Sequence, residues 1–346
     1  MKQTVLIVGS LNMDSFRYVD ELPKPGETVS AANFEEGVGG KGCNQAAMAG
    51  LWAQKLKGEL GVAMLGCVGG DSQGQVLVQT LANHGVHTDT VRKLGSEIRS
   101  GSAAITVDKH GENTIVVHPG ANFELSTQHL QELIETNNMW QQTSLVLCQN
   151  EIPLEVTGKA LLEAKKEGKL ALWNFAPAAR THVPREIFES CSVLLVNETE
   201  AMTTLQAHLK VESMDQDMLE NSGDPKASLE RIAGRLAAAL DHRVAIVLTA
   251  GALGAIVASH EKLTWASTRI KVSKDKVIDT TGAGDCFAGV FALELARLHG
   301  KQGDSDLAHD ALCSAASLAC DAGALSIQHR GCVASYTYVR DNLELV

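Results

Sequence analysis

The 346-residue chain carries a formal net charge of −11 and no long Lys/Arg block, which argues against a non-specific nucleic-acid surface or an anionic membrane partner. Its content of 45% hydrophobic and 21% charged residues is typical of a globular protein with one large α/β domain or two ordinary domains. The eight cysteines form no C-x-x-C pair, so we expect them to be reduced thiols in the core. No apolar run approaches the roughly 18 residues of a membrane span, and we expect a cytosolic protein.

The first apolar run, from Val5 to Gly9, is short and continuous, as in a strand buried on both faces of a parallel sheet. Polar residues follow it, among them Asn12 and Asp14. Ligands of open α/β sheets bind off the carboxyl ends of the strands. Asn12 and Asp14 are therefore expected either to contact a polar substrate or to form a turn bonded through its own side chains.

The same pattern of apolar strand, polar or glycine-rich turn and helical segment recurs along the chain. Further strands are predicted at residues 63–68, 145–147, 170–175, 193–196 and 244–249, and helices at 46–56, 74–85 and 305–323. This recurrence predicts a doubly wound α/β fold, with a mostly parallel sheet flanked by helices and one active edge.

Two stretches interrupt this pattern with strands that are too polar for the centre of a sheet. Residues 22–38 are one, and the alternating segments 102–107 and 113–117 are the other. They predict a small β-sheet that lies over a site as a lid. We expect residues 1–10, 38–94 and 121–346 to form the core, and residues 11–37 and 95–120 to form the lid. The acidic stretch 208–226 is interpreted as a solvated insertion.

A glycine-rich segment leads into the first long helix. Gly37, Gly39 and Gly42 match the G-x-G-x-x-G pattern of dinucleotide-binding proteins, which raises the hypothesis of a dehydrogenase. The residues before Gly37 do not form a buried strand, so that hypothesis is disfavoured. Instead, the segment places Lys41 and Asn44 at a helix start, where both side chains can reach one small polyol.

A second glycine-rich turn, Asp279 to Gly284, leads to Asp285 and an apolar helix from Cys286 to His299 that ends at Gly300. The N–H groups at a helix start can hold an anion beside the Asp285 carboxylate. That pairing suits phosphoryl transfer, in which a carboxylate accepts a hydroxyl proton while fixed dipoles stabilise the phosphoryl charge. On this motif alone, an Asp that only caps the helix is the favoured interpretation.

The two glycine-rich motifs together resemble the two signatures of the ribokinase-like (PfkB) carbohydrate kinase family. The first is Gly39-Gly40-Lys41-Gly42-x-Asn44 and the second is Asp279-Thr280-Thr281-Gly282-Ala283-Gly284-Asp285. The resemblance extends in order through Asn12-x-Asp14, Pro25-Gly26-Glu27-Thr28, Asn197-Glu198-Thr199-Glu200 and Thr249-x-Gly251-x-x-Gly254. It implies an enzyme that phosphorylates the terminal hydroxyl of a free pentose, D-ribose, with ATP.

The resemblance also implies a role for individual residues. Asp285 is the base for the sugar hydroxyl, and the N–H groups of Gly282, Ala283 and Gly284 form the anion hole. The sugar-binding positions are Asn12, Asp14, Gly39, Gly40, Lys41, Asn44 and Glu151. Asn197 and Glu200 support the phosphates and the hydrated Mg²⁺, while Thr249, Gly251 and Gly254, with Gly284, contact the nucleotide.

An activating monovalent cation and a homodimer are also implied by the resemblance. The resemblance implies a K⁺ site at Asp279 and Thr281, completed by backbone carbonyls near Gly323 and Ser326, and a homodimer that pairs through the lid strands. Alternatives within the fold are a fructokinase, a ketodeoxygluconate kinase or a nucleoside kinase, although the cluster of Asn12, Asp14, Lys41, Asn44 and Glu151 contains no aromatic pair to sandwich a base. A sugar-binding protein without catalysis is a further alternative, which the intact Asp285 motif disfavours.

Overall fold

The computed structural model describes residues 3–136, 138–211, 224–259, 262–302 and 307–345. Within these ranges, a nine-stranded sheet runs through the centre in the order β13-β12-β11-β10-β9-β8-β1-β4-β5. Its strands are β1 (Thr4–Val8), β4 (Gly61–Val68), β5 (Val91–Lys93), β8 (Thr143–Cys148), β9 (Leu170–Asn174), β10 (Val193–Asn197), β11 (Ala245–Thr249), β12 (Ala255–Ser259) and β13 (Lys262–Ala266). All neighbouring strands are parallel except for the antiparallel β11–β12 and β12–β13 pairs at one edge.

Helices cover both faces of this sheet. They are α1 (Lys41–Lys55), α2 (Ser72–Asn83), α3 (Thr127–Thr136), α4 (Asn138–Gln142), α5 (Leu154–Lys166), α6 (Arg185–Glu189), α7 (Glu198–Thr203), α8 (Pro225–Ala239), α9 (Ala283–Gln302), α10 (His309–Ser326) and α11 (Cys332–Asn342). The predicted doubly wound α/β fold is therefore confirmed.

The central strands read as continuous apolar runs because each of their faces contacts a different layer of helices. In β1, Val5 and Ile7 pack in the core formed with α1 and α9, whereas Leu6 and Val8 pack in the core formed with α3, α5 and α8. All four side chains are fully buried. Burial of such a side chain contributes about 1.5–3 kcal/mol, so the two apolar layers hold the strand ends in fixed positions.

A second, four-stranded sheet has the order β3-β2-β6-β7. It consists of β2 (Asn12–Tyr18), β3 (Asn33–Gly39), β6 (Gly101–Val107) and β7 (Asn113–His118), with β2 and β6 parallel and the outer pairs antiparallel. The two polar interruptions of the sequence therefore do come together in one small sheet, as predicted.

The structure corrects one prediction about this small sheet. A turn after the first strand was one of the two alternatives for Asn12 and Asp14, but both residues lie in β2. The chain leaves β1 through only three residues, Gly9 to Leu11, and then pairs with Gly37 to Gly39 of β3. In the 22–38 stretch, only residues from Asn33 onwards form a strand.

Helix boundaries differ from the predictions as well. Helix α9 begins at Ala283 and continues through Gly300 to Gln302, so Asp285 lies in its first turn and not at its cap. Helix α10 runs from His309 to Ser326, three residues beyond the predicted end. Residues 303–306, and residues 212–223 of the predicted acidic insertion, lie outside the described ranges.

The cysteines are free thiols throughout, as predicted. Six are buried, while Cys313 and Cys332 are partly exposed. None of the described helices combines the length and the apolar character that crossing a bilayer requires.

Candidate active site

Asp285 and the predicted sugar-binding residues converge where the small sheet meets the carboxyl ends of the central strands. The β3–α1 junction makes this close approach possible because its glycines have no side chain. Gly40 has a φ of 83°, and a Cβ atom there would lie 2.8 Å from the backbone nitrogen of Asn12. At Gly39, a Cβ atom would collide with the Asp14 carboxylate. The motif thus brings β2, β3 and the start of α1 to one point.

Asp285 is held in this cluster by two amide side chains from α1. Asn44 Nδ2 donates to Asp285 Oδ2 at 2.9 Å, and Gln45 Nε2 donates to Asp285 Oδ1 at 2.8 Å. Gln45 also donates to Asn174 Oδ1 at 2.8 Å and accepts from Gln149 Nε2 at 2.7 Å. Since Asp285 is only 7% exposed, these bonds fix the direction of its carboxylate.

Two buried oxygen atoms of the predicted sugar-binding residues lack a donor within the described part of the chain. They are Asp14 Oδ1 and Asn44 Oδ1. A buried acceptor without a partner is costly, so a bound molecule with hydroxyl donors would satisfy both. Desolvation raises the pKa of Asp14 to about 7, and the negative charges of Glu151 and Asp285 add to this rise, while Lys41 opposes it.

Glu151 joins the end of β8 to the same cluster. Its Oε2 accepts from Ser10 Oγ at 2.6 Å and from the backbone N–H of Lys41 at 2.8 Å. The Lys41 ammonium lies among acidic groups, and its pKa is raised mainly by Asp285, with smaller contributions from Glu151 and Glu200. Lys41 therefore stays positively charged near these carboxylates.

The second glycine-rich turn stands beside Asp285. Gly282 has a φ of 75°, which favours glycine. Within the described residues, the N–H groups of Gly282 and Gly284 donate to no protein atom, whereas Ala283 N–H makes a long 3.3 Å bond to Thr280 O. These N–H groups at the start of α9 can form an anion-binding site next to the Asp285 carboxylate.

Asp279 precedes this turn and contacts the loop that follows α10. Its carboxylate accepts from Thr281 N–H and from Gly331 N–H, each at 2.9 Å. Gly323 and Ser326 lie in the last turn of α10, where the Gly323 carbonyl accepts from Ser326 Oγ at 2.9 Å and from Ile327 N–H at 3.3 Å. The Asp279 N–H also donates to the Ile327 carbonyl at 3.2 Å, one residue beyond the predicted ligand Ser326.

Residue Arg330 of the same loop reaches the small sheet. Its guanidinium lies 3.4 Å from Glu35 Oε1 and 4.7 Å from the centre of the Tyr18 ring. The loop that contacts Asp279 is therefore in contact with β2 and β3 as well.

The predicted nucleotide residues lie farther along the same sheet edge. Asn197 caps α7 in a capping box, in which Glu200 N–H donates to Asn197 Oδ1 and Asn197 N–H donates to Glu200 Oε2, both at 2.9 Å. Burial raises the pKa of the Glu200 carboxyl above its usual value. An open cavity of about 290 Å³ adjoins this helix start and is lined by Thr249, Gly251 and Leu253. Gly254 closes that loop with a φ of 98°.

Sequence reasoning missed the amide network behind Asp285. Gln45, Gln149 and Asn174 were not predicted as site residues, although they lie at a helix start or at strand ends and all are buried. Burial of an amide at the end of an apolar strand is the signal that could have identified them. The G-x-G-x-x-G match is explained differently, because Gly37 and Gly39 lie in a strand of the small sheet and not in a strand–helix turn.

The comparisons with known proteins agree with this geometry. Residues 2–337 match the pfkB family of carbohydrate kinases. A ribokinase of Schizosaccharomyces pombe is 32% identical over 338 residues, which cover 96% of this chain and 94% of that protein. A ribokinase of Haemophilus influenzae is 33% identical over 297 residues, covering 85% of this chain and 86% of the other.

Structural similarity extends over the whole chain. The crystal structure of a ribokinase from Cryptococcus neoformans in complex with ADP has a TM-score of 0.77 and 27% identity, covering 99% of this chain and 100% of that chain. With a family match over nearly its full length and relatives above 30% identity, this protein belongs to the pfkB family of carbohydrate kinases.

Proposed function

We propose that this protein is a ribokinase, which transfers the γ-phosphoryl group of ATP to O5 of D-ribose and releases ribose 5-phosphate and ADP. The observation that carries the proposal is the position of Asp285. On one side of its carboxylate lie Asp14 Oδ1 and Asn44 Oδ1, two acceptors that a sugar hydroxyl could satisfy. On the other side lies a glycine turn whose N–H groups at Gly282 and Gly284 have no partner among the described residues. The similarity to ribokinases over most of the chain supports the same conclusion.

The sugar is expected to bind with its vicinal hydroxyls toward Asp14 and Asn44. Hydroxyl groups are donors, and the free Asp14 Oδ1 and Asn44 Oδ1 are acceptors, so the two sets are complementary. Asn12, Lys41 and Glu151 complete the polar wall, and Gly39 and Gly40 allow the sugar to lie against the backbone. We infer that the small sheet acts as a lid, formed by residues 11–37 and 95–120, on a core of residues 1–10, 38–94 and 121–346.

In the chemical step, Asp285 accepts the proton of the sugar's O5 hydroxyl as that oxygen attacks the γ-phosphorus in line. The N–H groups of Gly282, Ala283 and Gly284 are directed at the charge that develops on the phosphoryl oxygens. Thr249 and Gly251 line the cavity in which we expect the nucleotide, and Gly254 ends the same loop. The fixed carboxylate and the fixed turn reduce the reorganisation that the reaction requires.

Two cations fit the oxygen ligands present. The amide of Asn197 and the carboxylate of Glu200 suit a hydrated Mg²⁺, which would neutralise charge on the nucleotide phosphates. One carboxylate, Asp279, with the neutral oxygens of Thr281 and of the end of α10 at Gly323 and Ser326, suits a monovalent ion such as K⁺. A cation there would reinforce the positive field of the adjoining turn.

The base assignment is tested by Asp285→Asn. Because Asn cannot accept the proton, we expect turnover to fall by roughly 10²–10⁴-fold. Ribose affinity, measured by calorimetry, should change little, since the side-chain shape is kept and the remaining oxygen still accepts from Gln45. Asp310→Asn, an exposed change in the first turn of α10, serves as the control. Near-normal turnover of the Asp285 variant would refute the assignment.

The substrate is tested by ADP release with Mg²⁺ and ATP in the presence of ribose, deoxyribose, fructose, ketodeoxygluconate or adenosine, each with and without K⁺. We expect the highest kcat/KM with ribose, increased by K⁺. Higher kcat/KM with another sugar would keep the Asp285 mechanism and correct the substrate. Ribose binding without turnover of any of the five compounds would identify a sugar-binding protein without catalysis. Rates that are unchanged without K⁺ would contradict the proposed cation site.

A further inference from the structure

Helix α11 contributes a buried hydroxyl to the underside of the second glycine turn. Tyr336 is fully buried, and its Oη donates to the Gly282 carbonyl oxygen at 3.1 Å. Burial raises the pKa of Tyr336 well above its usual value, so the hydroxyl stays protonated. The same carbonyl also accepts from Cys286 N–H at 2.8 Å, inside the first turn of α9.

A thiol extends this contact. Cys332 Sγ lies 3.0 Å from Tyr336 Oη, one helical turn earlier on α11. Since the Tyr336 proton is directed to Gly282, the thiol is the donor in the second bond, and a chain of two hydrogen bonds runs from Cys332 through Tyr336 to Gly282. A Cβ atom at Gly282 would collide with Cys332 Sγ, so the thiol also requires glycine at this position.

The direction of the Gly282 carbonyl determines the direction of an anion-binding group. The Gly282 C=O and the Ala283 N–H belong to one planar peptide unit and point in opposite directions. A bond that holds the carbonyl toward α11 therefore turns the Ala283 N–H away from α11. Hydrogen bonding at the oxygen also polarises the peptide and strengthens its N–H as a donor.

We propose that Tyr336 is a positioning residue of the anion hole, assisted by Cys332. Its hydroxyl keeps the Gly282–Ala283 peptide in the orientation that presents N–H groups to the transferred phosphoryl group. The inference rests on the proposed function, because it assigns the turn a phosphoryl ligand. Tyr336 touches neither sugar nor phosphate and acts only through Gly282.

The test is Tyr336→Phe, which keeps the ring and removes the hydroxyl. The loss of one hydrogen bond, about 0.5–1.5 kcal/mol, corresponds to a fall of roughly two- to thirteenfold in kcat. The KM for ribose should stay within about twofold. Tyr338→Phe is the matched control, since the Tyr338 hydroxyl, two residues later on α11, makes no hydrogen bond with any described residue.

Cys332 provides a graded second comparison. Cys332→Ser retains a donor for the Tyr336 oxygen, whereas Cys332→Ala removes it. We therefore expect kcat to be higher for the serine variant than for the alanine variant. Equal kcat values for wild type, Tyr336→Phe and Tyr338→Phe would overturn the proposal, as would a loss of kcat matched by a rise in the ribose KM.

Amide hydrogen exchange of peptides that cover residues 278–286 gives a readout independent of activity. Tyr336→Phe should speed exchange in this segment and leave the peptides of β8 and β9 unchanged. Unchanged exchange at 278–286 would contradict the positioning role. If wild type phosphorylates none of the sugars tested, the proposed function fails, while the exchange result still decides whether Tyr336 holds the turn.

Discussion

Asp14 and Asp285 face the same small space, but their oxygen atoms are satisfied differently. Each oxygen of Asp285 accepts from a buried amide of α1, whereas Asp14 Oδ1 has no donor among the described residues. The paired carboxylate is oriented for proton transfer before any substrate arrives. The unpaired oxygen of Asp14 can accept a hydrogen bond from a ligand hydroxyl.

This difference predicts a pH dependence of sugar binding. Desolvation raises the pKa of Asp14 to about 7, and only the ionised form can accept from a hydroxyl with both oxygens. Sugar affinity should therefore be constant above about pH 8 and fall as pH drops through 7, to about one-tenth at pH 6. Calorimetric titration of ribose between pH 5.5 and 8.5 measures this change.

The matched variant for this experiment is Asp14→Asn, which has no ionisation at this position. It should bind ribose more weakly at pH 8 and show little pH dependence over the same range. If the ribose affinity of the wild type is constant between pH 6 and 8, ionisation of Asp14 does not control sugar binding.

For individual residues, the sequence could identify those within one motif but not the contacts between motifs. Asp285 and the glycines before it were predicted together, because they lie within four positions and share one chemistry. Gln45 contacts Asp285 across 240 positions and Asn174 across 129 positions, and only the fold brings them together. Tyr336 was missed for the same reason, since an isolated aromatic residue in an amphipathic helix usually indicates packing.

Among the secondary-structure elements, the connection of the small sheet to the core depends on Asn122. Its side chain is 1% exposed and bonds to both the N–H and the carbonyl of Leu11, and its Nδ2 donates to Asn12 Oδ1 at 2.7 Å. A single amide thus holds the start of β2 and orients a predicted sugar-binding side chain.

Replacement of Asn122 by Ala should affect the sugar site specifically. It leaves the buried N–H and carbonyl of Leu11 without partners, at a cost of about 1–3 kcal/mol in the free energy of unfolding. Because Asn12 also loses its donor, we expect the KM for ribose to rise by roughly tenfold while the KM for ATP changes by less than about twofold. Steady-state kinetics with each substrate varied in turn measure both values.

Asn83→Ala, in the last turn of α2, provides a control for the loss of an exposed amide. Equal increases in both KM values for Asn122→Ala would indicate general damage and contradict a role at this connection.

The elements themselves were predictable where the apolar pattern was strong. The central parallel strands are continuous apolar runs, and their positions match the structure within a few residues. Strand β2 was not predicted, since Asn12 to Tyr18 mixes polar and apolar residues and gains its strand conformation from pairing with β3 and β6. The antiparallel β12–β13 edge likewise depends on a partner, the neighbouring strand β11.

At the scale of the whole molecule, β7 is the outer strand of the small sheet and exposes apolar side chains on both of its faces. Ile115, Val116 and Val117 are 55%, 72% and 52% exposed. An exposed apolar edge strand is a surface for pairing with another chain. Together with the family resemblance, this supports the proposal that the protein is a homodimer joined through its small sheets.

Val116→Lys tests the homodimer, because a charge on this edge opposes pairing. We expect light scattering after gel filtration to give the mass of a dimer for wild type and of a monomer for the variant at micromolar concentration. Leu263→Lys, on the edge strand β13 of the large sheet, should remain dimeric. A monomeric wild type, or a Val116 variant that stays dimeric, would rule out this interface.

The contact of Arg330 with Glu35 and Tyr18 has a thermodynamic consequence. It joins the small sheet, where the sugar is expected to bind, to the loop beside Asp279, where the monovalent ion is expected. We expect ribose and K⁺ to favour the same arrangement of this contact. Binding of one then increases the affinity for the other, and the factor is the same in both directions. An exposed ion pair with a cation–π contact contributes about 1–2 kcal/mol, which limits this mutual effect to roughly 5- to 30-fold.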